Sequence, residues 1–276
     1  MHPGVGVIRK DIVLAFLAHE MRDLRSNTRV LPVFLVFPVL ALLFPAVIVL
    51  FGDAMVAGAA HDPGMTAMLE AAHRQPEFAG LDLNQALMRY ALRTVVGFYL
   101  LMPVAMAGTA SAFSIVGEKQ QRTLEPILAT PISDREFLVG KFLVCLAPTL
   151  AVTWATAVVA ILLVDTITLV RLQAVLLPDR FWIAGVGLLA PLLGGAVVLI
   201  TMRLSARSVD PQATVQASAL AVVPGFLVVF GVFGKLLISS FTALLTGIAV
   251  AALLDVWLFR RVERTFEREE ILTRWR

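Results

Sequence analysis

Charged residues are scarce in this sequence. Asp, Glu, Lys and Arg together make up 16% of the 276 residues, whereas hydrophobic residues make up 59%. Soluble domains carry about 25% charged residues, because their surfaces must interact with water. The shortage excludes an ordinary soluble domain and predicts a protein that crosses a membrane several times.

Several kinds of chemistry are absent as well. The single cysteine, Cys145, cannot form an intrachain disulfide or a cysteine-based metal centre. His61 and His73 have a spacing that fits no metal site, and Ser111 and Ser114 have no base at membrane depth that would activate a nucleophile. The sequence also lacks the glycine-rich Walker A loop of ATP-hydrolysing proteins. We therefore predict no catalytic, cofactor-binding or metal-binding residues, and the chain is not expected to be an enzyme.

Long apolar runs dominate what is present. A helix needs about 20 apolar residues to cross the hydrocarbon core of a bilayer. The sequence therefore predicts an all-α membrane protein with six transmembrane helices, at about 30–51, 94–116, 137–164, 181–202, 213–233 and 236–259. The last two runs also fit a re-entrant hairpin followed by one span. Residues 84–93, within the loop 52–93, are expected to form a helix that runs into the second span.

The basic residues are distributed unevenly between the predicted loops. Seventeen of the 23 Lys and Arg residues fall in segments on one side, including the N-terminal part and the tail 260–276. The positive-inside rule places that side, and both termini, in the cytoplasm, and the loop 52–93 outside. The basic pI of about 9.4 thus reflects membrane topology and does not indicate nucleic-acid binding. A multi-pass protein of the cell (plasma) membrane is expected.

The chain divides into an N-terminal interfacial helix, 1–29, and one transmembrane domain, 30–276. Ile8, Ile12 and Phe16 recur at helical spacing and form an apolar face that can lie in the headgroup layer. The segment is interpreted as an elbow helix, and an ordinary interfacial anchor remains the alternative.

A polar segment between the second and third spans contains a short helix of its own. Thr123 can cap the N-terminus of this helix. Leu124, Ile127 and Leu128 form one apolar stripe, and Pro131 ends the helix. The stripe fits either an interfacial helix that rests on lipid headgroups or a docking helix for a cytoplasmic partner.

The third span begins immediately after that helix. Ser133 and Glu136 stand in an S-x-x-E capping box, which predicts a helix start in the cytosol. The helix is expected to enter lipid near Lys141, whose ammonium group would snorkel back towards water.

The segment EKQQRTLEPILATP, residues 118–131, resembles the cytoplasmic loop signature of ATP-binding-cassette (ABC) type-2 permeases. The departures are Gln120 and Arg122, where many members of that family have Glu and Gly. In the family this loop is a coupling helix that sits in a cleft of the ATPase subunit, and the N-terminal elbow helix has a counterpart. The resemblance implies an ATPase-docking site formed by Glu118, Lys119, Thr123, Leu124, Glu125, Ile127, Leu128, Thr130 and Pro131.

The resemblance implies the permease subunit of an ABC transporter, of the exporter class. Its partners would be two copies of a cytoplasmic ATPase, which bind the ATP and Mg, a second permease copy or a homologous permease, and membrane lipids. A secondary transporter or channel without an ATPase is the alternative, and it predicts charged groups at mid-membrane. A membrane-bound enzyme or scaffold is the third interpretation.

Features inside the spans give further predictions. Prolines within four spans predict either routine kinks or hinges, and glycines in the fourth span, Gly185, Gly187, Gly194 and Gly195, predict close helix packing. Asp255 lies about one turn from Arg260 and is expected to pair at the inner interface. An apolar pathway is predicted to be lined by Phe98, Met102, Met106, Phe226 and Phe230.

Overall fold

A computed structural model of the chain describes residues 28, 30–59, 78, 80–121, 134–205, 213, 214, 216 and 241–265. These residues form long helices, and no strand occurs in the part of the chain that is described. The helices are α1 (Leu31–Ala59), α2 (Leu83–Gln121), α3 (Asp134–Leu172), α4 (Arg180–Ala184), α5 (Ala190–Ser205) and α6 (Phe241–Thr265). A π-helical segment, Gly185–Leu189, joins α4 to α5 without interruption.

Five helical stretches in the described ranges are long and apolar enough to cross a membrane: Leu31–Gly52, Asn84–Ser114, Arg135–Leu172, Arg180–Leu204 and Phe241–Glu263. The all-α membrane class predicted from composition is confirmed. The interfacial helix 1–29 and most of the predicted span 213–233 lie outside the described residues.

The crossing helices have a consistent direction through the bundle. One end holds the last residue of α2 and the first residue of α3, and following the predicted topology we call it the inner end. At the outer end the rings of Phe181 and Phe241 meet with centroids 5.5 Å apart. Near the inner end Met202 and Val262 share one apolar cluster. The α4–α5 stretch and α6 therefore run in the same direction.

The second crossing helix, α2, occupies the centre of the bundle. In its most apolar stretch 67% of the residues are buried inside the chain, against 17% in α1 and 11% in α6. Large apolar side chains on those two helices, such as Val39 and Leu253, are exposed. In water this would be unfavourable, but a lipid environment accepts apolar side chains on the outside of a bundle.

The π-helical segment lies immediately before Pro191. Proline has no amide hydrogen, and its ring crowds the carbonyl four residues earlier. The preceding turn widens, so that the amide of Ala190 donates to the carbonyl of Gly185, five residues back. The helix is therefore locally distorted before Pro191, and both interpretations of the span prolines, a routine kink and a hinge, include such a distortion.

One predicted boundary at the outer end was wrong. The third span was expected to end at 164, but α3 continues to Leu172, whereas the apolar stretch of α1 ends at Gly52, close to the expected 51, and only its helix continues to Ala59. The extra turns of α3 are held by side chains that satisfy backbone groups. Arg171 donates to the carbonyls of Val49 and Leu50 at 3.2 and 3.0 Å. The predicted helix over 84–93 is confirmed, because α2 begins at Leu83.

The glycines of the fourth span are not equivalent. A Cβ added at Gly185 would lie 2.7 Å from Cγ1 of Val96, whereas a Cβ at Gly187 would meet nothing within 4 Å. Close helix packing, predicted for both, is therefore present at Gly185 and absent at Gly187.

This difference gives a matched pair of substitutions. We expect Gly185→Ala to destabilise the protein by about 1–3 kcal/mol, because it overpacks a contact with a stiff β-branched side chain. Gly187→Ala should be neutral or stabilising by up to about 1 kcal/mol, since alanine favours a helix. Thermal unfolding of the two purified variants in the same detergent measures the difference, and equal stability would contradict the packing argument.

Candidate functional site

The predicted docking residues lie at and beyond the inner end of α2. Glu118 and Lys119 are in the last turn of this helix, which ends at Gln121. The others, which are Thr123, Leu124, Glu125, Ile127, Leu128, Thr130 and Pro131, lie outside the described residues. The structure thus describes the two helices that this segment connects, and the docking role stays a prediction.

The helix that follows the segment begins where the capping pattern predicts. The first residue of α3 is Asp134, directly after Ser133, the proposed cap, which itself lies outside the described residues. Twelve residues therefore separate α2 from α3 at the inner end. This length is sufficient for one short helix with a connecting turn at each of its ends.

A buried lysine links α2 and α3 below this segment. Lys141 is completely buried, and its ammonium group donates to the hydroxyl of Ser114 on α2 at 2.9 Å. The ring of Phe137 lies 5.8 Å from the same nitrogen. The expectation that Lys141 snorkels to water was wrong, because α2 offers a hydroxyl acceptor within reach. We call the pair the Ser114–Lys141 link.

Three other helices meet α3 at the same level. Leu138 of α3 belongs to an apolar cluster with Val30, which precedes α1, Met202 of α5, and Leu258 and Val262 of α6. The docking segment is therefore connected to helices that pack against one another. A force applied to it would be transmitted through α3 to the other helices at the inner end of the bundle.

A surface ion pair lies beside this cluster. The guanidinium of Arg135 is 3.4 Å from the carboxylate of Glu263, and the two side chains are 49% and 38% exposed. Pairs with this exposure stabilise a protein by about 0–1 kcal/mol, so this contact adds little to the rigidity of the inner end.

The predicted pathway residues occupy different environments. Met102 and Met106 are completely buried in the apolar core of the single chain. Phe98 is partly exposed, and its ring stacks on that of Phe44 with centroids 3.8 Å apart. Phe226 and Phe230 lie outside the described residues. The three described residues therefore differ in exposure, and the pathway assignment stays a prediction.

A buried ion pair lies at the outer end of the bundle. Arg93 of α2 donates through Nε to Oδ2 of Asp179 at 2.7 Å, and the two side chains are 1% and 5% exposed. Rings of Phe78 and Phe181 lie over the guanidinium, at 4.5 and 4.1 Å from their centroids. The carboxylate neutralises the guanidinium charge and the two rings attract it electrostatically, and both effects offset the cost of burying it.

Asp179 also starts the fourth crossing helix. Its Oδ1 accepts from the amide of Trp182 at 2.9 Å, as an N-cap residue does. Burial raises the pKa of the Asp179 carboxyl, whereas the hydrogen bond from Trp182 and the charge of Arg89 lower it. One carboxylate thus joins α2 to the start of α4.

Sequence reasoning missed this ion pair. Arg93 was counted only as a basic residue outside the membrane, because no local pattern connects it to Asp179. The cap itself had a signal, since aspartate three residues before a tryptophan that opens an apolar run is a typical N-cap arrangement.

Aromatic side chains extend the outer cluster to α1. Trp182 donates from Nε1 to the carbonyl of Leu92 at 3.3 Å, and its ring centre is 4.9 Å from that of Tyr99. The hydroxyl of Tyr99 donates to the carbonyl of Ala41 in α1 at 3.0 Å. We call Arg93, Asp179, Trp182 and Tyr99 the outer cluster, which joins α1, α2 and α4.

Comparison with known proteins adds one finding. The sequence model of a family described as "ABC-2 family transporter protein" matches residues 14–269. This range includes helices α1 to α6 and the predicted docking segment. No curated protein matches the chain.

Proposed function

The chain belongs to the ABC-2 family of transporter proteins, and from this membership we propose that it is an exporter permease driven by a separate cytoplasmic ATPase. Proteins of this family are membrane transport components and are generally not catalytic themselves. The ATPase would bind the segment between α2 and α3 and would carry the ATP and Mg.

One observation carries the docking assignment. The docking segment connects two 39-residue helices at the inner end of the bundle, and the Ser114–Lys141 link joins these helices directly below it. A partner that moves the segment therefore moves α2, the central helix, together with α3. An interfacial helix that only rested on headgroups would not need this support.

The direction of the helices supports a sixth span. The α4–α5 stretch ends at the inner end with Ser205, and α6 begins at the outer end beside Phe181. The chain between them must return across the bundle, and 35 residues at about 1.5 Å each are sufficient for a helix that does so. Both termini would then face the cytoplasm of a cell whose plasma membrane holds the protein.

The family implies an assembly with an ABC ATPase and a dimeric arrangement. We propose two ATPase copies and two permeases, either identical or homologous, surrounded by lipid. The exposed apolar faces of α1 and α6 are available both to lipid and to a second permease.

The docking assignment is tested by a triple substitution, Leu124→Asp, Ile127→Asp and Leu128→Asp. Full burial of each apolar side chain contributes about 1.5–3 kcal/mol, and a loss of 1.4 kcal/mol weakens binding tenfold. We therefore expect at least tenfold less ATPase to co-purify with the variant, while the spans remain folded.

A conservative variant, Leu124→Met, Ile127→Leu and Leu128→Met, keeps the apolar stripe and serves as the control. Thermal unfolding and size-exclusion chromatography establish that both variants are intact. Retention of the ATPase by the triple aspartate variant would refute the docking assignment.

A secondary transporter remains the second candidate, because Asp255 places a carboxyl group within a span. The two functions are separated by reconstituting the purified chain alone in liposomes. Movement of solute without any nucleotide-hydrolysing protein would favour the secondary transporter.

A further inference from the structure

One carboxyl group within the described spans has an oxygen that accepts no hydrogen bond. Asp255 lies in α6, eight residues before the end of the span Phe241–Glu263, or about 12 Å along the helix. Its Oδ1 is completely buried and has no hydrogen-bond partner. The pairing with Arg260 expected from the sequence is not formed, because the carboxylate turns towards the neighbouring helices.

The carboxylate and an aromatic ring both lie against a glycine of the neighbouring helix α5. A Cβ added at Gly195 of α5 would lie 3.1 Å from Oδ2 of Asp255 and 3.4 Å from Cζ of Phe142 on α3. Because glycine has no Cβ, the carboxylate of Asp255 and the ring of Phe142 can both lie close to the backbone of Gly195. One turn away on α6, Ala251 and Phe259 add apolar walls.

Two basic residues on the helices around this point make other contacts, and a third lies further along its helix. On α3, Lys141 donates to Ser114. On α6, Arg261 lies over the ring of Trp257, 5.2 Å from its centre, and on α5 Arg203 is two turns from Gly195. The predicted fifth span, 213–233, contains no charged residue.

An ionised carboxylate buried without a partner costs several kcal/mol. Because the described residues provide no partner for Oδ1 of this carboxyl group inside a span, a cation from outside the chain can serve as its partner. Metal ions are poor candidates, since Ca²⁺ needs six to eight oxygen ligands and Mg²⁺ keeps several waters. A weakly hydrated organic cation needs only one carboxylate, an aromatic face and apolar walls.

We propose that Asp255 and Phe142 bind the cationic group of an amphipathic organic molecule between α3, α5 and α6. The carboxylate neutralises the charge, the ring contributes a cation–π contact, and the apolar walls accept the hydrocarbon part. Amphipathic organic cations would then be the substrate class of the proposed exporter, and this role in transport rests on the proposed function. Binding itself does not depend on the ATPase.

The test uses the full chain in lipid nanodiscs without ATPase and radiolabelled tetraphenylphosphonium as the probe. We expect saturable binding that Asp255→Asn weakens at least tenfold and that Gly195→Ala also weakens. Asp255→Asn keeps the shape of the side chain and removes a buried charge, so it should fold, and its thermal unfolding establishes this. Glu263→Gln, on the same helix, should bind the probe as the unchanged protein does.

Tetraphenylborate has the same shape with the opposite charge, and it should not compete. The proposal is overturned if the unchanged chain shows no saturable binding, if Asp255→Asn binds equally well, or if tetraphenylborate competes equally. Its failure is distinguishable from failure of the proposed function, because ATPase co-purification is measured separately and should be unaffected by Asp255→Asn.

Discussion

Replacing Arg93 by methionine is expected to destabilise the protein by about 3–5 kcal/mol, a larger loss than we expect for Gly185→Ala. The substitution leaves the buried carboxylate of Asp179 without its partner at 2.7 Å. The rings of Phe78 and Phe181 lose the guanidinium between them as well. Because Asp179 also caps α4, the start of the fourth crossing helix should loosen.

Thermal unfolding of the purified protein, followed by tryptophan fluorescence, measures this effect, since Trp182 belongs to the outer cluster. The double variant Arg93→Met with Asp179→Asn should recover much of the loss, because no unpaired charge remains buried. Arg135→Met, in the exposed pair with Glu263, is the matched control and should cost about 0–1 kcal/mol. Similar losses for Arg93→Met and Arg135→Met would contradict the importance assigned to burial.

The second large effect is expected for Ser114→Ala, at about 1–3 kcal/mol. The substitution removes the hydroxyl that accepts from the ammonium group of Lys141, which is completely buried. A buried charged donor that loses an acceptor is more costly than the hydrogen bond is stabilising. Because the link lies directly below the docking segment, less ATPase should co-purify with this variant.

Ser111→Ala provides a control in the same helix. Ser111 is completely buried, whereas Ser114 is half-buried, and the Ser111 hydroxyl donates to the carbonyl of Gly108, one turn earlier in α2. Removing this self-contained bond should change stability by less than about 0.5 kcal/mol. The structural role of the link is refuted if the two serine variants unfold at the same temperature and retain the same amount of ATPase.

Much of the fold could be predicted because it depends on properties local in sequence. Apolar runs long enough to cross a bilayer identify the spans, and the helix over 84–93 and the start of α3 follow from short patterns. The outer boundary of the third span was missed because α3 continues to Leu172 through contacts with another helix. Arg171 reaches carbonyls of Val49 and Leu50, which are more than 120 residues away in the chain.

The candidate sites show the same division. The docking segment is predicted from a contiguous signature, most of which lies outside the described residues. The expectations for Lys141 and Asp255 were both wrong. An ionisable group near the end of a span can contact water, its own helix or a neighbouring helix, and the sequence does not show which contact is the most favourable. Lys141 binds a hydroxyl of α2 where water was expected, and Asp255 packs against Gly195 where Arg260 was expected.

The sequence by itself determined the membrane class and the approximate spans, and it predicts the side of the basic loops and the segment offered to a partner. Each of these follows from composition or from residues within one or two helical turns, so free energies of transfer and capping suffice to infer them. Only the tertiary structure decided which charges are buried and with what. The ion pair of Arg93 with Asp179, the link of Ser114 with Lys141 and the isolation of Asp255 arise where helices distant in sequence pack together, and packing alone sets those distances.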